Sequence, residues 1–204
     1  PKINIGFKYN IEFINVEKFN NKGEECNTNN SYYNLAEAEY CIGLFMYMCL
    51  IGYQPNKISI LTTYNGQKEL IKEIYSKNCL WNKLFTGIGK ICTVDKYQGQ
   101  QNDFIILSLV RTEKIGYLRD IIRFIVSLSR ARKGLYIFGK WDLFNECLEL
   151  EETMKILRNK YNCKNRKLEI CLDGNENNQI EINDFKHMYR IVQELLEIAM
   201  KNTK

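Results

Sequence analysis

The stretch that most limits what this chain can fold into is Phe104-Ile105-Ile106-Leu107-Ser108-Leu109-Val110. It is almost unbroken in its apolarity, of strand length, and rich in β-branched and aromatic residues. Such a run suits a parallel strand buried on both faces, which needs neighbouring strands on either side and helices above and below. Polar residues gather at its two ends. Thr93-Val94-Asp95-Lys96-Tyr97-Gln98-Gly99-Gln100-Gln101-Asn102-Asp103 leads into it, and Arg111-Thr112 follows it. Ligands of open α/β sheets sit at the carboxyl ends of the strands, which makes Arg111 and Thr112 candidate site residues.

The rest of the chain supplies the strands and helices such a sheet requires. Ile11–Val16, Ile58–Leu61, Ile91–Val94 and Gly134–Gly139 read as further strands. Asn34 followed by Glu37 has the spacing of a helix cap and its capping box, opening a buried packing helix that ends near Gly52. Helices are also predicted from about Gln67 to Tyr75, over Trp141–Glu149 and Glu152–Asn159, and over Phe185–Met200. The last has clear helical periodicity through Met188, Ile191, Val192, Leu195, Leu196 and Ala199. Glu17–Tyr32 and Asp173–Asn178 read as loops, Lys167–Leu172 as a strand, Tyr97 as a core residue and His187 as a surface residue.

A second basic feature precedes the strand at Gly134. At 100° per residue, Arg119, Arg123 and Arg130 fall within about 40° of one another on one helix face. Leu118, Ile122, Ile125 and Ser129 gather on a face turned away from them. Two readings follow: an anion-binding face, since guanidinium forks fit phosphate, or a solvated basic face.

Composition narrows the classes. At 204 residues and 45% hydrophobic content the chain can bury one sizeable α/β core. A net charge of +5 is compatible with a polyanionic partner. The eight cysteines include no Cys-x-x-Cys pair and there is one histidine, so zinc-finger spacing is absent and free thiols are expected. The uncharged run from Cys41 to Pro55 is too short to span a bilayer.

Three polar strand ends, in order, resemble the C-terminal RecA-like domain of superfamily 1 helicases. Ser59–Lys68 is similar to motif IV, Thr93–Arg111 to motif V and Arg123–Arg132 to motif VI. Val94-Asp95-Lys96-Tyr97-Gln98-Gly99 points to the up-frameshift-like RNA helicases, and Asn34–Tyr40 and Leu61–Lys68 resemble the intron-binding, spliceosomal members of that branch. The resemblance implies a RecA-like (P-loop NTPase-type) three-layer α/β domain with a central, mostly parallel sheet and a C-terminal helix. Residues 1–160 would form the second motor domain and 161–204 a C-terminal extension.

Roles follow by resemblance, position by position. Arg130 is similar to the arginine that reaches the ATP γ-phosphate from across the domain cleft. Gly99 matches the glycine beside the nucleotide. Lys68 stands where relatives carry a phosphate-facing arginine, Gln101 where they carry a nucleotide-binding glutamate, and Tyr64 is placed to stack on a base. Thr62, Thr63 and Thr93, with Arg111, occupy positions that hold the RNA backbone. The chain contains no Gly-x-x-x-x-Gly-Lys-Ser/Thr, so ATP with Mg²⁺ is expected to be bound mainly by a preceding RecA-like domain, and this chain alone is expected to be inactive as half of an ATPase. The implied partners are single-stranded RNA such as the intron of a pre-mRNA, that preceding domain, and spliceosomal proteins. The implied location is the nucleus, with no membrane. The Gln100-Gln101 pair and Lys68 keep open a helicase-like scaffold that binds RNA or protein without turnover. A dinucleotide-binding enzyme is disfavoured, because no Gly-x-Gly-x-x-Gly follows the first strand.

Overall fold

A computed structural model of the chain describes residues 3–16, 18–115, 128–164, 166–171 and 179–201. In chain order these form β1 (Ile11–Asn15), β2 (Glu25–Cys26), β3 (Tyr32–Tyr33), α1 (Leu35–Leu50), β4 (Ile58–Thr62), α2 (Asn65–Cys79), β5 (Lys90–Thr93) and β6 (Asn102–Ser108). They continue with β7 (Ala131–Gly139), α3 (Trp141–Asn145), α4 (Glu151–Tyr161), β8 (Leu168–Cys171), β9 (Gln179–Ile182) and α5 (Phe185–Lys201).

Five strands make one sheet in the order β1-β7-β6-β4-β5, and every pairing is parallel. The apolar run lies at its centre as β6, flanked by β4 and β7. Its alternate side chains enter different cores: Phe104 and Ile106 join α1, α2 and α5, while Ile105, Leu107 and Leu109 join α3 and α4. That is the expected three-layer α/β arrangement, with the strand apolar throughout because both faces are covered.

Helix α1 has no polar stripe, because it is covered on several sides. It lies between the sheet and α5, whose Met188, Ile191 and Val192 are buried against it. Gly43 permits the close approach, since a Cβ there would lie 3.0 Å from the Met188 side chain. The C-terminal hairpin β8–β9 shares this core through Leu168, Ile170 and Ile182. Ile170 of β8 also bridges Phe7 of the lead-in, and Arg166, just before β8, bridges Ile14 of β1.

Several boundaries differ from the sequence reading. The segment predicted as an open loop, Glu17–Tyr32, carries the small hairpin β2–β3. Its turns use left-handed Asn20, Asn21 and Asn30, and the Asn27 side chain accepts from the amides of Asn29 and Ser31. Helix α2 extends past the expected Gln67–Tyr75 at both ends. The helix expected over Trp141–Glu149 stops at Asn145, and Leu148–Leu150 forms a 3₁₀ turn. Strand β7 starts earlier, at Ala131, because its register with β6 begins at Asn102. Strand β9 has no counterpart in the sequence reading; four residues of weak alternation acquire a strand only by pairing with β8. Arg119 and Arg123, with Leu118, Ile122 and Ile125, lie outside the described residues. Ser129 and Arg130 stand in a turn and bend leading into β7 rather than on a helix. All eight cysteines are free thiols. His187 is half-buried near the start of α5, where its amide donates to Asp184.

Glu12 is a buried carboxyl in β1, and neither of its oxygens makes a hydrogen bond of normal geometry. Burial pushes its pKa from the usual 4.5 up to about 8, with the Arg166 guanidinium pulling the other way. A carboxyl that binds its proton more tightly when folded stabilises the fold fully below pH 4.5. That contribution is lost as pH rises to about 8. Glu12→Gln removes this dependence. Thermal unfolding of the two proteins should nearly coincide at about pH 5, with the variant's advantage growing to about pH 8 and then levelling. A difference in melting temperature that does not change with pH contradicts the assignment.

Candidate nucleic-acid interface

The parallel register places three polar residues side by side at the carboxyl end of the sheet. Thr62 of β4 pairs with Thr93 of β5 on one side and with Ser108 of β6 on the other. Thr63 and Tyr64 follow Thr62 into the turn before α2. Thr62, Thr63 and Thr93 are all buried, and the hydroxyls of Thr62 and Thr63 have no hydrogen-bond partner among the described residues. An unpartnered buried hydroxyl costs about 1–3 kcal/mol, so these two are a stored demand for a polar atom.

Beneath this row runs a web of buried hydrogen bonds centred on Glu37. The Ser108 hydroxyl donates to Glu37 Oε2 at 2.6 Å and the Val110 amide donates to the same oxygen at 2.8 Å. Gln67 Nε2 donates to Ser108 Oγ at 2.9 Å, and Gln67 Oε1 accepts from the Asn34 amide at 2.7 Å. Asn34 caps α1 as predicted, accepting from the Glu37 amide at 3.2 Å. The reciprocal half of the capping box is missing, because the Asn34 amide is taken by Gln67 and the Glu37 carboxyl turns to the strand end. Burial pushes the Glu37 pKa up to about 8, opposed by the Ser108 hydroxyl and the Val110 amide. Val110 sits at φ +73°, a left-handed conformation unusual for a β-branched residue.

That turn ends the strand and redirects Arg111. The guanidinium Nε lies 3.1 Å from Glu24 Oε1, Nη1 donates to the Tyr64 hydroxyl at 3.3 Å, and the group stacks 4.0 Å from the Tyr32 ring centroid. Tyr64 packs edge-on against Tyr32. Arg111 thus reaches the same edge as the threonines, with its charge met by Glu24.

Gln101 and the Ser129–Arg130 segment meet at the opposite end of the strands, with Gly99 two residues before Gln101. The Asn102 amide donates to the Arg130 carbonyl at 3.2 Å, and Gln101 Nε2 donates to the Ser129 carbonyl at 3.5 Å. Gly99 adopts φ +77° and has open space where a Cβ would point. Arg130 is half-buried, and its Nε has no partner among the described residues. Lys68, on the first turn of α2, pairs with Glu69 at 2.8 Å and donates to Asn65. No hydrogen bond or ion pair joins it to Gly99, Gln101 or Arg130 among the described residues. Tyr64 and Lys68 follow the carboxyl end of β4, whereas Gly99, Gln101 and Arg130 precede the amino ends of β6 and β7. A strand of five residues, at about 3.3 Å each, separates such ends.

Sequence reasoning missed Glu24, Gln67 and Lys140 as parts of this edge, and saw Glu37 only as a helix cap. Their roles come from contacts across 28 to 89 positions, for which no local signal exists. Among the described residues no group of three or more His, Cys, Asp or Glu is placed to hold a metal, and no helix is long and apolar enough to cross a membrane.

A family model, AAA_12, described as an AAA domain, matches residues 4–142. RNA helicase aquarius of Mus musculus is 55% identical over 147 residues, 72% of this chain and 10% of the relative. The chain belongs to the superfamily 1 RNA helicases, up-frameshift-like branch. It is similar also to the helicase required for RNAi-mediated heterochromatin assembly 1 of Schizosaccharomyces pombe, 43% identical over 116 residues, which cover 55% of this chain and 11% of that protein. Pre-mRNA-splicing factor cwf11 of the same yeast is 33% identical over 150 residues, 73% of this chain and 12% of that protein. The chain spans about a tenth of the length of these relatives. The five-stranded parallel sheet with helices on both faces is thus the RecA-like helicase fold.

Proposed function

We propose that this chain is the second motor domain of an ATP-dependent RNA helicase acting in pre-mRNA splicing in the nucleus, with single-stranded RNA and spliceosomal proteins as partners. Residues 1–160 would be the motor unit and 161–204 an extension that buttresses α1. The observation that carries the reading is the pair of unpartnered hydroxyls, Thr62 and Thr63, beside Thr93 at one sheet edge. Hydroxyls at a strand end suit the phosphate backbone of RNA, a contact that positions the strand without reading its sequence. The relatives' names, RNA helicase and pre-mRNA-splicing factor, support the same reading.

The amino edge would face nucleotide. Magnesium ATP, held mainly by a preceding RecA-like domain, supplies a phosphoryl group whose oxygens accumulate charge during transfer. The residues present fit it: Arg130 offers a planar cation with a free Nε donor, Gly99 leaves open space, and Gln101 is exposed. Tyr64 and Lys68, which follow the carboxyl end of β4, stand a strand's length away and are left out of this nucleotide face.

Two tests follow. The double variant Thr62→Val, Thr63→Val removes hydroxyls that bond nothing among the described residues, so its stability should match or exceed the parent's. RNA affinity should fall by about ten-fold or more, the worth of one hydrogen bond to a charged group. Unchanged affinity with an intact fold contradicts the RNA reading. In the full-length protein, Arg130→Ala should lower kcat by at least about 10², since such arginines contribute 10³–10⁵ in other nucleotide hydrolases. Arg130→Lys should restore little of it, and Arg190→Ala on exposed α5 should leave turnover near the parent's. If Arg130→Ala turns over ATP like the parent, Arg130 is not the phosphate-facing arginine; a parent that itself shows no turnover puts the scaffold reading in its place.

A further inference from the structure

The turn that follows β6 has the features of an anion site, and a carboxylate of the chain itself already fills it. Left-handed Val110, pinned by Glu37, folds the backbone so that the amides of Thr112 and Glu113 point to one place. Successive amides arranged this way form a concavity suited to an anion. Both donate to Glu24 Oε2, Thr112 in a short contact and Glu113 at 3.2 Å. The Arg111 guanidinium pairs with Glu24 Oε1 at 3.1 Å. A second cation is adjacent, Lys140, whose Nζ donates to the Thr112 carbonyl at 3.2 Å. Two backbone amides, an arginine and a neighbouring lysine make the donor set of a phosphate site. The Glu24 carboxylate stands where two phosphate oxygens would.

The segment that carries Glu24 is built to sit on this edge and to leave it. Gly23 lies so close that a Cβ would fall 2.4 Å from Thr112 Oγ1, and the Glu24 amide donates to that same oxygen at 3.0 Å. Farther along, Ser31 Oγ accepts from the Gly66 amide in the first turn of α2 at 2.7 Å, and Tyr32 stacks on Arg111. The loop's first residue is anchored, with the Phe19 ring edge-on against Phe185 at 4.8 Å, so that Phe19 can serve as a hinge while the remainder has few apolar contacts. Its strands β2 and β3 have two residues each, and Asn20–Lys22 and Thr28–Asn30 are exposed. Segments with few buried apolar contacts open at low free-energy cost.

We propose that the Arg111–Glu113 turn is a phosphate site for a phosphodiester of single-stranded RNA, and that Glu24 occupies it as a displaceable gate carried by the Phe19–Tyr33 loop. The proposal rests on the reading of the threonine edge as an RNA surface and adds a contact beyond it. A strand held at Thr62, Thr63 and Thr93 would meet the gate next. One of its phosphates would take over the two amides and Arg111, and release of the loop, which carries Tyr32, would uncover Tyr64. Binding would then be weaker than the edge allows until Glu24 is displaced.

The test measures binding of a labelled single-stranded RNA oligonucleotide to the chain and to Glu24→Gln at several salt concentrations. Glu24→Gln keeps the shape and removes the charge. It should bind about five-fold tighter or more, and its log–log salt dependence should steepen by about 0.7, the increment of one phosphate contact on a single strand. Adding Arg111→Gln should cancel both changes. In the parent, hydrogen exchange of the Glu24 and Gly66 amides should speed up when the oligonucleotide is added. That measurement alone decides the matter if Glu24→Gln does not fold. Equal affinity and slope in the two proteins, or loop amides that stay protected with RNA bound, overturn the gate and leave the threonine edge standing. If neither protein binds the oligonucleotide, the RNA reading of the edge fails and the gate falls with it. Inorganic phosphate is the second probe. A gain for phosphate without a gain for the oligonucleotide would mean a free-anion site and contradict the proposal.

Discussion

The bond on which the working edge depends is the one between the Glu37 carboxyl and the end of β6. One oxygen receives both the Ser108 hydroxyl and the Val110 amide, in a place with no exposure to water. Holding a β-branched residue in the left-handed region costs of order 1–3 kcal/mol and persists only where the surroundings over-determine it. Here they do. Asn34 Nδ2 donates to the Val110 carbonyl at 3.3 Å while Glu37 takes the amide, so both peptide groups flanking that residue are fixed. Gln67 then ties the same point to the start of α2. A single buried web therefore sets the relative positions of the β4 end, the β6 end and the first turn of two helices. A buried network of this kind is rigid when every member is satisfied.

Rigidity there matters because the two chemistries proposed for the domain sit at opposite ends of one sheet. The threonines proposed to face RNA lie at the carboxyl ends of β4 and β5, while Gly99, Gln101 and Arg130 precede the amino ends of β6 and β7. A strand between them is a stiff strut, paired on both sides and buried on both faces. Displacement at one end has no soft element along β6 in which to dissipate. The soft element lies outside the sheet, in the Phe19–Tyr33 loop, whose carboxylate rests on the edge where RNA would lie.

Much of this was legible in the residues. The apolar run gave the central strand and its parallel neighbours, since only a strand covered on both faces has no polar alternation. Asn34 and Glu37 marked the start of α1, and the polar strand ends marked the family. What escaped was long-range. Glu37 reads as a capping residue because its spacing to Asn34 is local, and nothing nearby announces Ser108 and Val110. Glu24 sits in an Asn-rich stretch that reads as solvent-exposed loop, and its partners are 87 to 89 positions away. Strand β9 has too few residues to signal itself without β8. Arg111 was legible as a residue at a ligand-bearing edge; that its charge is already met by Glu24 was not.

The central claim is that RNA lies along the carboxyl edge and leaves the amino edge to nucleotide. Photo-crosslinking of a single-stranded RNA to the chain, with crosslinked peptides identified by mass spectrometry, tests this most directly. The account predicts crosslinks within Thr62–Tyr64, around Thr93 and within Arg111–Glu113, and none at Gly99–Gln101 or Arg130. Crosslinks concentrated at Gly99–Gln101 and Arg130, with the threonine edge unmarked, would contradict it.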